Sequence, residues 1–167
     1  IKDDTFKNSK ISRIFIPRHL TMIGRTAFSS NHLEQVDIDD NSELKMIGDY
    51  AFSHSKIKHF SVPIHVKWIG KNAFFCCNEL KTIEIPHGSE LETIGQDAFH
   101  RTLIESISIP SNLIELKAGW NVEMANLRNI DIMQNNPRYS IYNNFLIGKS
   151  NIEQENYDIL VSSIGDV

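Results

Sequence analysis

The sequence has almost no cysteine, and the two it has, Cys76 and Cys77, are neighbours. Adjacent thiols cannot close the long loops of a disulfide framework, so cysteine usage leaves the redox compartment open. Also missing is any run approaching the ~18 apolar residues that cross a bilayer, and the N-terminal stretch lacks the basic-then-apolar layout of a signal peptide. No direct membrane insertion is expected of this segment. An excess of positive charge is absent too: 17 Lys and Arg against 21 Asp and Glu give a net charge of -4. Without a cationic field to neutralise phosphates, nucleic acid is excluded as a partner. What is present is ordinary for a folded protein, with 41% hydrophobic and 23% charged residues in 167. That length suits one compact domain or a short repeat array, and periodicity decides between them.

The phrase Ile57-x-x-Phe60-x-Val62-Pro63-x-x-Val66-x-x-Ile69-Gly70-x-x-Ala73-Phe74 recurs on both sides of itself. Downstream it reads Leu80, Ile83, Ile85, Pro86, Leu91, Ile94, Gly95, Ala98, Phe99; upstream it reads Ile11, Ile14, Ile16, Pro17, Leu20, Ile23, Gly24, Ala27, Phe28. Between these lies Leu33, Val36, Ile38, Leu44, Ile47, Gly48, Ala51, Phe52, with Asp39 at the proline place. A fifth unit opens as Ile104, Ile107, Ile109, Pro110, Leu113, Leu116 and then loses the signature, with Lys117 for glycine and Trp120 and Asn121 for Ala-Phe. A sixth begins at Leu127, Ile130, Ile132. Units starting at 11, 33, 57, 80, 104 and 127 are spaced by 22, 24, 23, 24 and 23 residues. The chain opens inside a partial repeat, 1–10, because Ile1, Thr5, Phe6 and Ser9 match Ile47, Ala51, Phe52 and Ser55; it reads as a piece of something longer.

Each unit opens with a period-two segment such as Ile83-Glu84-Ile85, the pattern of a strand with one buried face. Proline, with no N–H and a fixed φ, then keeps the strand short. The Ile-Gly step predicts a tight bend, and Ala-Phe predicts one short 3-10 or helical turn whose phenylalanine points inward. A single such coil cannot bury its own apolar face, so stability must come from stacking coil on coil. The expected fold is a solenoid with one short parallel strand per repeat, Phe28, Phe52, Phe74 and Phe99 superposed in a shared interior, and Trp120 filling the phenylalanine space in the fifth unit.

The opening Leu80-x-x-Ile83-x-Ile85, the proline, and the return Val/Leu-x-x-Ile-Gly-x-x-Ala-Phe-x-x-Cys together resemble the BspA-like class of leucine-rich repeats over residues 1 to about 132. The resemblance implies a right-handed leucine-rich-repeat solenoid of the α/β horseshoe class, mostly β, with strands on the concave face and short 3-10 or helical turns on the return side. Residues 133–167, from Asn135-Asn136-Pro137-x-Tyr139-Ser140 onward, resemble the β-hairpin insert that such proteins place between blocks of repeats, with Asn143-Asn144 as its two-residue turn. The two segments are expected to form one continuous domain. Members of the class are mostly cell-surface or secreted proteins that bind host proteins, including extracellular-matrix proteins such as fibronectin, so the resemblance implies a non-enzymatic, adhesin-like binding module without a cofactor. An intracellular repeat scaffold and a carbohydrate-binding surface are the alternatives. The ninth position reads His19, Asn41, His65, Gly88, Asn112, Asn135, so no uninterrupted asparagine ladder is expected.

If Ile83 and Ile85 point inward, Thr82 and Glu84 point outward onto the strand face, and the same offset holds in every unit. Two candidate ligand-binding columns follow: Arg13, Gln35, His59, Thr82, Ser106, Asn129, and Phe15, Asp37, Ser61, Glu84, Ser108, Asp131. The face is polar, mildly acidic in its middle, with Phe15 as its one aromatic anchor. No metal site is expected: none of the seven histidines has an i, i+4 partner, and His19 and His65, two repeats apart, lie about 10 Å from each other at strand spacing. His59, Ser61 and Glu84 are close in register, but an open sheet offers neither a nucleophile-exposing turn nor an oxyanion hole. Gly148-Lys149-Ser150 mimics the end of a phosphate loop, yet Asn143 stands where its first glycine belongs. Cys77 falls at the class's cysteine position, filled elsewhere by Ser9, Asn31, Ser55 and Thr102, and is expected to be a buried structural thiol; Cys76 is expected to face outward.

Overall fold

Alternation lasts only three or four residues in each unit, and the strands are equally short. In the computed structural model, which describes residues 1–30 and 32–164, every complete coil contributes two of them. They run β1 (Arg13–Ile16) and β2 (Met22–Ile23), β3 (Gln35–Ile38) and β4 (Met46–Ile47), β5 (His59–Ser61) and β6 (Trp68–Ile69). The series continues through β7 (Thr82–Glu84) and β8 (Thr93–Ile94), β9 (Ser106–Ile109) and β10 (Glu115–Leu116), and β11 (Asn129–Ile132). Opening strands pair in parallel with equivalent residues in register, Ile14 on Val36, Phe60 on Ile83 and Ile107 on Ile130. The second strands form a separate five-stranded parallel sheet, β2-β4-β6-β8-β10.

Equivalent apolar residues lie over one another, as stacking requires. Phe28, Phe52, Phe74 and Phe99 are all fully buried, and with Phe6 they form a column of stacked rings whose centroids are 5.3, 5.4, 5.3 and 5.6 Å apart. Phe60 meets Phe74 edge-on at 4.9 Å, tying the strand side to that column. Offset and edge contacts of this kind add to the burial of the rings themselves.

Three details differ from the sequence-based expectation or add to it. First, the Ala-Phe turn is neither helical nor 3-10; among the described residues there is no helix at all. Tyr50 and His54, Asn72 and Cys76, Asp97 and Arg101 take positive φ between 54 and 59°. A left-handed residue every fourth place stops a right-handed helix from propagating. The N–H groups then alternate in direction: Ala51 and Ser53 close i to i+3 turns on Gly48 and Tyr50, while Tyr50, Phe52 and His54 donate to Lys71, Ala73 and Phe75 of the next coil. Every second backbone donor is thus committed to a neighbour, where a helix would keep it local.

Second, Gly48, Gly70 and Gly95 open the turns that Ala51, Ala73 and Ala98 close, as a bend there requires, and they also mark a close approach between coils. A Cβ on Gly70 would lie 2.6 Å from the Gly48 carbonyl carbon, and one on Gly95 would lie 2.6 Å from that of Gly70. Third, the opening strands do not make one continuous sheet. They pair as β1-β3, β5-β7 and β9-β11, with no ladder joining β3 to β5 or β7 to β9, whereas the second sheet is unbroken. Two-residue strands beside the glycine column come close enough to pair throughout, and the wider strand side opens twice.

After β11 the chain forms a three-stranded antiparallel sheet, β12 (Tyr139–Tyr142), β13 (Phe145–Gly148) and β14 (Ile159–Ser163). Asn143 and Asn144, with φ of 47 and 63°, make the two-residue turn that the hairpin needs, and β14 adds a third strand that the sequence did not announce. The Ser150 amide and hydroxyl both donate to Asp158, so a carboxylate occupies the place a phosphate would take in a phosphate loop. Asn136 and Tyr139 dock this sheet on the repeats. The Asn136 amide donates to the Pro110 and Leu113 carbonyls, and the Tyr139 hydroxyl accepts the Leu116 N–H at 2.8 Å while donating to the Ile114 carbonyl.

Candidate ligand face

Register places the outward residues of each strand pair side by side. Arg13 stands opposite Gln35 and Phe15 opposite Asp37; His59 is opposite Thr82 and Ser61 opposite Glu84; Ser106 is opposite Asn129 and Ser108 opposite Asp131. Asp37 and Ser108 are half-buried and the other ten are exposed, with Phe15 at 58%. The gaps between β3 and β5 and between β7 and β9 split the two columns into three blocks.

Two blocks carry polar clusters. Arg13 Nε reaches Asp37 at 2.7 Å and the Gln35 amide donates to the other carboxylate oxygen at 2.8 Å. Those two hydrogen bonds hold the Asp37 carboxyl below the usual carboxylate range. In the next block the Ser61 hydroxyl donates to Glu84 at 2.7 Å, and His59 Nε2 lies 3.0 Å from the same Ser61 oxygen and 3.5 Å from Glu84. In a hydrolytic triad the imidazole takes the serine proton. Here the Ser61 hydroxyl donates to the carboxylate and the imidazole is left to donate to the hydroxyl, which is not the hydrogen-bond order of a triad. Two of the three acidic groups on the face, Asp37 and Glu84, are therefore paired across neighbouring coils.

The remaining chemistry-bearing residues sit apart from this face. His19 and His65 each contact a carboxylate on the following coil, Glu43 at 3.0 Å and Glu90 at 2.9 Å. These hydrogen bonds hold Glu43 and Glu90 below their ordinary range. Among the described residues no group of three or more His, Cys, Asp or Glu is placed to hold a metal ion, and no helix is long and apolar enough to cross a membrane. Cys77 is fully buried, its thiol bonded to the Phe52 carbonyl and near the Ser55 hydroxyl, and burial pushes its pKa up to about 12. Thr102 instead bonds the Phe99 carbonyl of its own turn. Asn31, assigned to the same position, lies outside the described residues. Cys76 is half-buried.

One exposed feature escaped the sequence reading. Met22, Met46 and Trp68 align on the second sheet, in register with Thr93 and Glu115, and Met22 and Trp68 are 39% and 42% exposed. The only sequence signal was the residue preceding each Ile-Gly, a single outward position per coil and too short for periodicity to reveal.

The repeat, its register and its return turn also match a known pattern. The family model for the BspA type leucine-rich repeat region matches in six copies, over residues 1–127 and 45–166. The chain belongs to the BspA-type leucine-rich-repeat family. A search of curated proteins finds no match for this BspA-type chain. Among solved structures it is similar to the pneumococcal vaccine antigen PcpA, with 26% identity and a TM-score of 0.78 over 83% of this chain and 34% of that one. It is also similar to a leucine-rich cell surface protein from Faecalibacterium prausnitzii, with 24% identity and a TM-score of 0.71 over 98% of this chain and 49% of that one. The BspA-type chain thus spans between a third and half of the length of these structures. A leucine-rich repeat protein from Eubacterium ventriosum aligns with a TM-score of 0.50 at 21% identity, a likeness of fold alone.

Proposed function

We propose that this BspA-type array is a non-enzymatic binding module of a cell-surface or secreted protein, and that it recognises a host or extracellular-matrix protein through the face built by β1, β3, β5, β7, β9 and β11. The observation that carries this reading is the twelve side chains paired in register within three blocks, with polar clusters bridging coils at Arg13–Asp37–Gln35 and His59–Ser61–Glu84. Side chains already held by their neighbours lose little freedom on binding, and Phe15, largely exposed, supplies an apolar anchor beside them. The likeness to a pneumococcal vaccine antigen and to a leucine-rich cell surface protein supports display outside the cell.

The test is binding of the intact chain to immobilised fibronectin and other matrix proteins at two salt concentrations. Asp37→Lys with Glu84→Lys reverses both acidic positions and is expected to weaken binding at least about tenfold, a loss of about 1.4 kcal/mol, with little change in melting temperature. Binding unchanged in the double variant and in Phe15→Ala would move the contact off this face.

A further inference from the structure

The fifth coil departs from the others at one position with a visible consequence. Trp120 stands where Ala27, Ala51, Ala73 and Ala98 stand in the preceding coils, its indole is 1% exposed, and its Nε1 has no hydrogen-bond partner. Buried donors are nearly always satisfied in folded proteins, so an orphaned one asks for an explanation. Trp120 also borders a half-open cavity of about 280 Å³ between Leu116–Trp120 and the antiparallel sheet.

The lining of that cavity has a definite chemistry. Lys117, Arg138 and Lys149 contribute three cations, and no Asp or Glu lines it, in a chain whose net charge is negative. Lys117 is paired with Glu115 outside the cavity, and Lys149 lies over the Tyr157 ring at 5.2 Å; both contacts are open to solvent and exchangeable. The rest of the wall includes Leu116, Tyr139 and residues 159–161, and Leu160 stands 67% exposed. Cations beside an apolar wall fit a ligand with one anionic end and one apolar body. The volume is just below the ~300–1,000 Å³ of drug-sized pockets, which suits a single ring with a short arm.

We propose that this junction cavity binds a small amphipathic carboxylate, its apolar body against Leu116 and Leu160, beside the buried Trp120, and its carboxylate held by Arg138 and Lys149. Such a group is supplied either by a free small acid or by the C-terminus of a peptide ending in an apolar residue. The site is separate from the strand face, and it stands or falls independently of the binding proposed there.

Trp68→Phe leaves Trp120 as the one tryptophan and makes its emission the reporter. In that background phenylacetate is expected to change the emission saturably, and neutral phenylacetamide is expected to bind at least about tenfold more weakly. Arg138→Gln with Lys149→Gln should weaken phenylacetate at least about tenfold while far-ultraviolet circular dichroism and melting temperature hold. N-acetylphenylalanine binding more tightly than phenylacetate supports the peptide terminus as the source, and the reverse supports the free acid. The proposal is overturned by any of four results: no saturable change, equal affinity for acid and amide, an unaffected double variant, or inorganic phosphate competing as well as phenylacetate.

Discussion

The coil interfaces that meet at Ala51, Ala73 and Ala98 and the one that meets at Trp120 use the same backbone scheme and achieve different closeness. Phe28, Phe52 and Phe74 donate to Ala51, Ala73 and Ala98 at 2.8 Å each, whereas Phe99 donates to Trp120 at 3.1 Å and Arg101 to Val122 at 3.4 Å. Alanine, glycine and phenylalanine are each needed at their places: one to leave room, one to let backbones touch, one to fill. With Trp120, Lys117 and Asn121 in those places the fifth coil stands off, and its inter-coil hydrogen bonds lengthen. Packing this specific tolerates little change in volume.

The contrast can be broken most sharply by truncation. Phe74→Ala is expected to cost about 3–5 kcal/mol, because the rings on either side hold the cavity open. Trp120→Ala should fall at or below the low end, about 2–3 kcal/mol, since its surroundings are already loose and the orphaned indole N–H leaves with it. Urea unfolding followed by circular dichroism measures both, and equal losses would erase the distinction between the coils.

Glycine gives the next largest effect. Gly95→Ala drives a Cβ to within 2.6 Å of the Gly70 backbone and is expected to cost about 1–3 kcal/mol. Lys117→Gly, at the equivalent place in the loose coil, should change stability by less than about 1 kcal/mol. A costless Gly95→Ala would mean that the backbones yield easily and that closeness is not what the column of glycines protects.

The smallest effect is electrostatic and common to both regions. Hydrogen bonds from His65 to Glu90 and from Arg101 to Glu123 hold these carboxyls below their ordinary 4.5. A lowered folded pKa means stability that is fully present above the unfolded value and lost as pH falls through the folded one. Glu90→Gln and Glu123→Gln should therefore each flatten the pH dependence of melting temperature below about pH 4.5, slightly, because the groups are exposed. No change in that limb would leave these contacts without thermodynamic weight.

How much of this the sequence discloses depends on how often a feature repeats and how far it reaches along the chain. The opening strands and the phenylalanine column are legible because they recur every 22 to 24 residues, and the register that sets Ser61 beside Glu84 follows from the unit starts alone. The second sheet is not, because each strand has two residues and one outward side chain. The left-handed turns are not, because Tyr50, His54 and Arg101 give no local sign of a positive φ that the inter-coil hydrogen bonds impose. Splitting of the strand face depends on spacing between coils, which no single unit encodes. The cavity beside Trp120 is assembled with residues 40 positions later, on a third strand that the hairpin pattern did not include.

Tyr139 and Asn136 carry a last implication. The end of a parallel ladder is a row of unsatisfied amides, and such rows template the addition of other chains, the route to fibres and swapped oligomers. At the fifth coil a phenol and a carboxamide occupy the Leu116 N–H and the Ile114, Pro110 and Leu113 carbonyls, groups that an added strand would otherwise pair with.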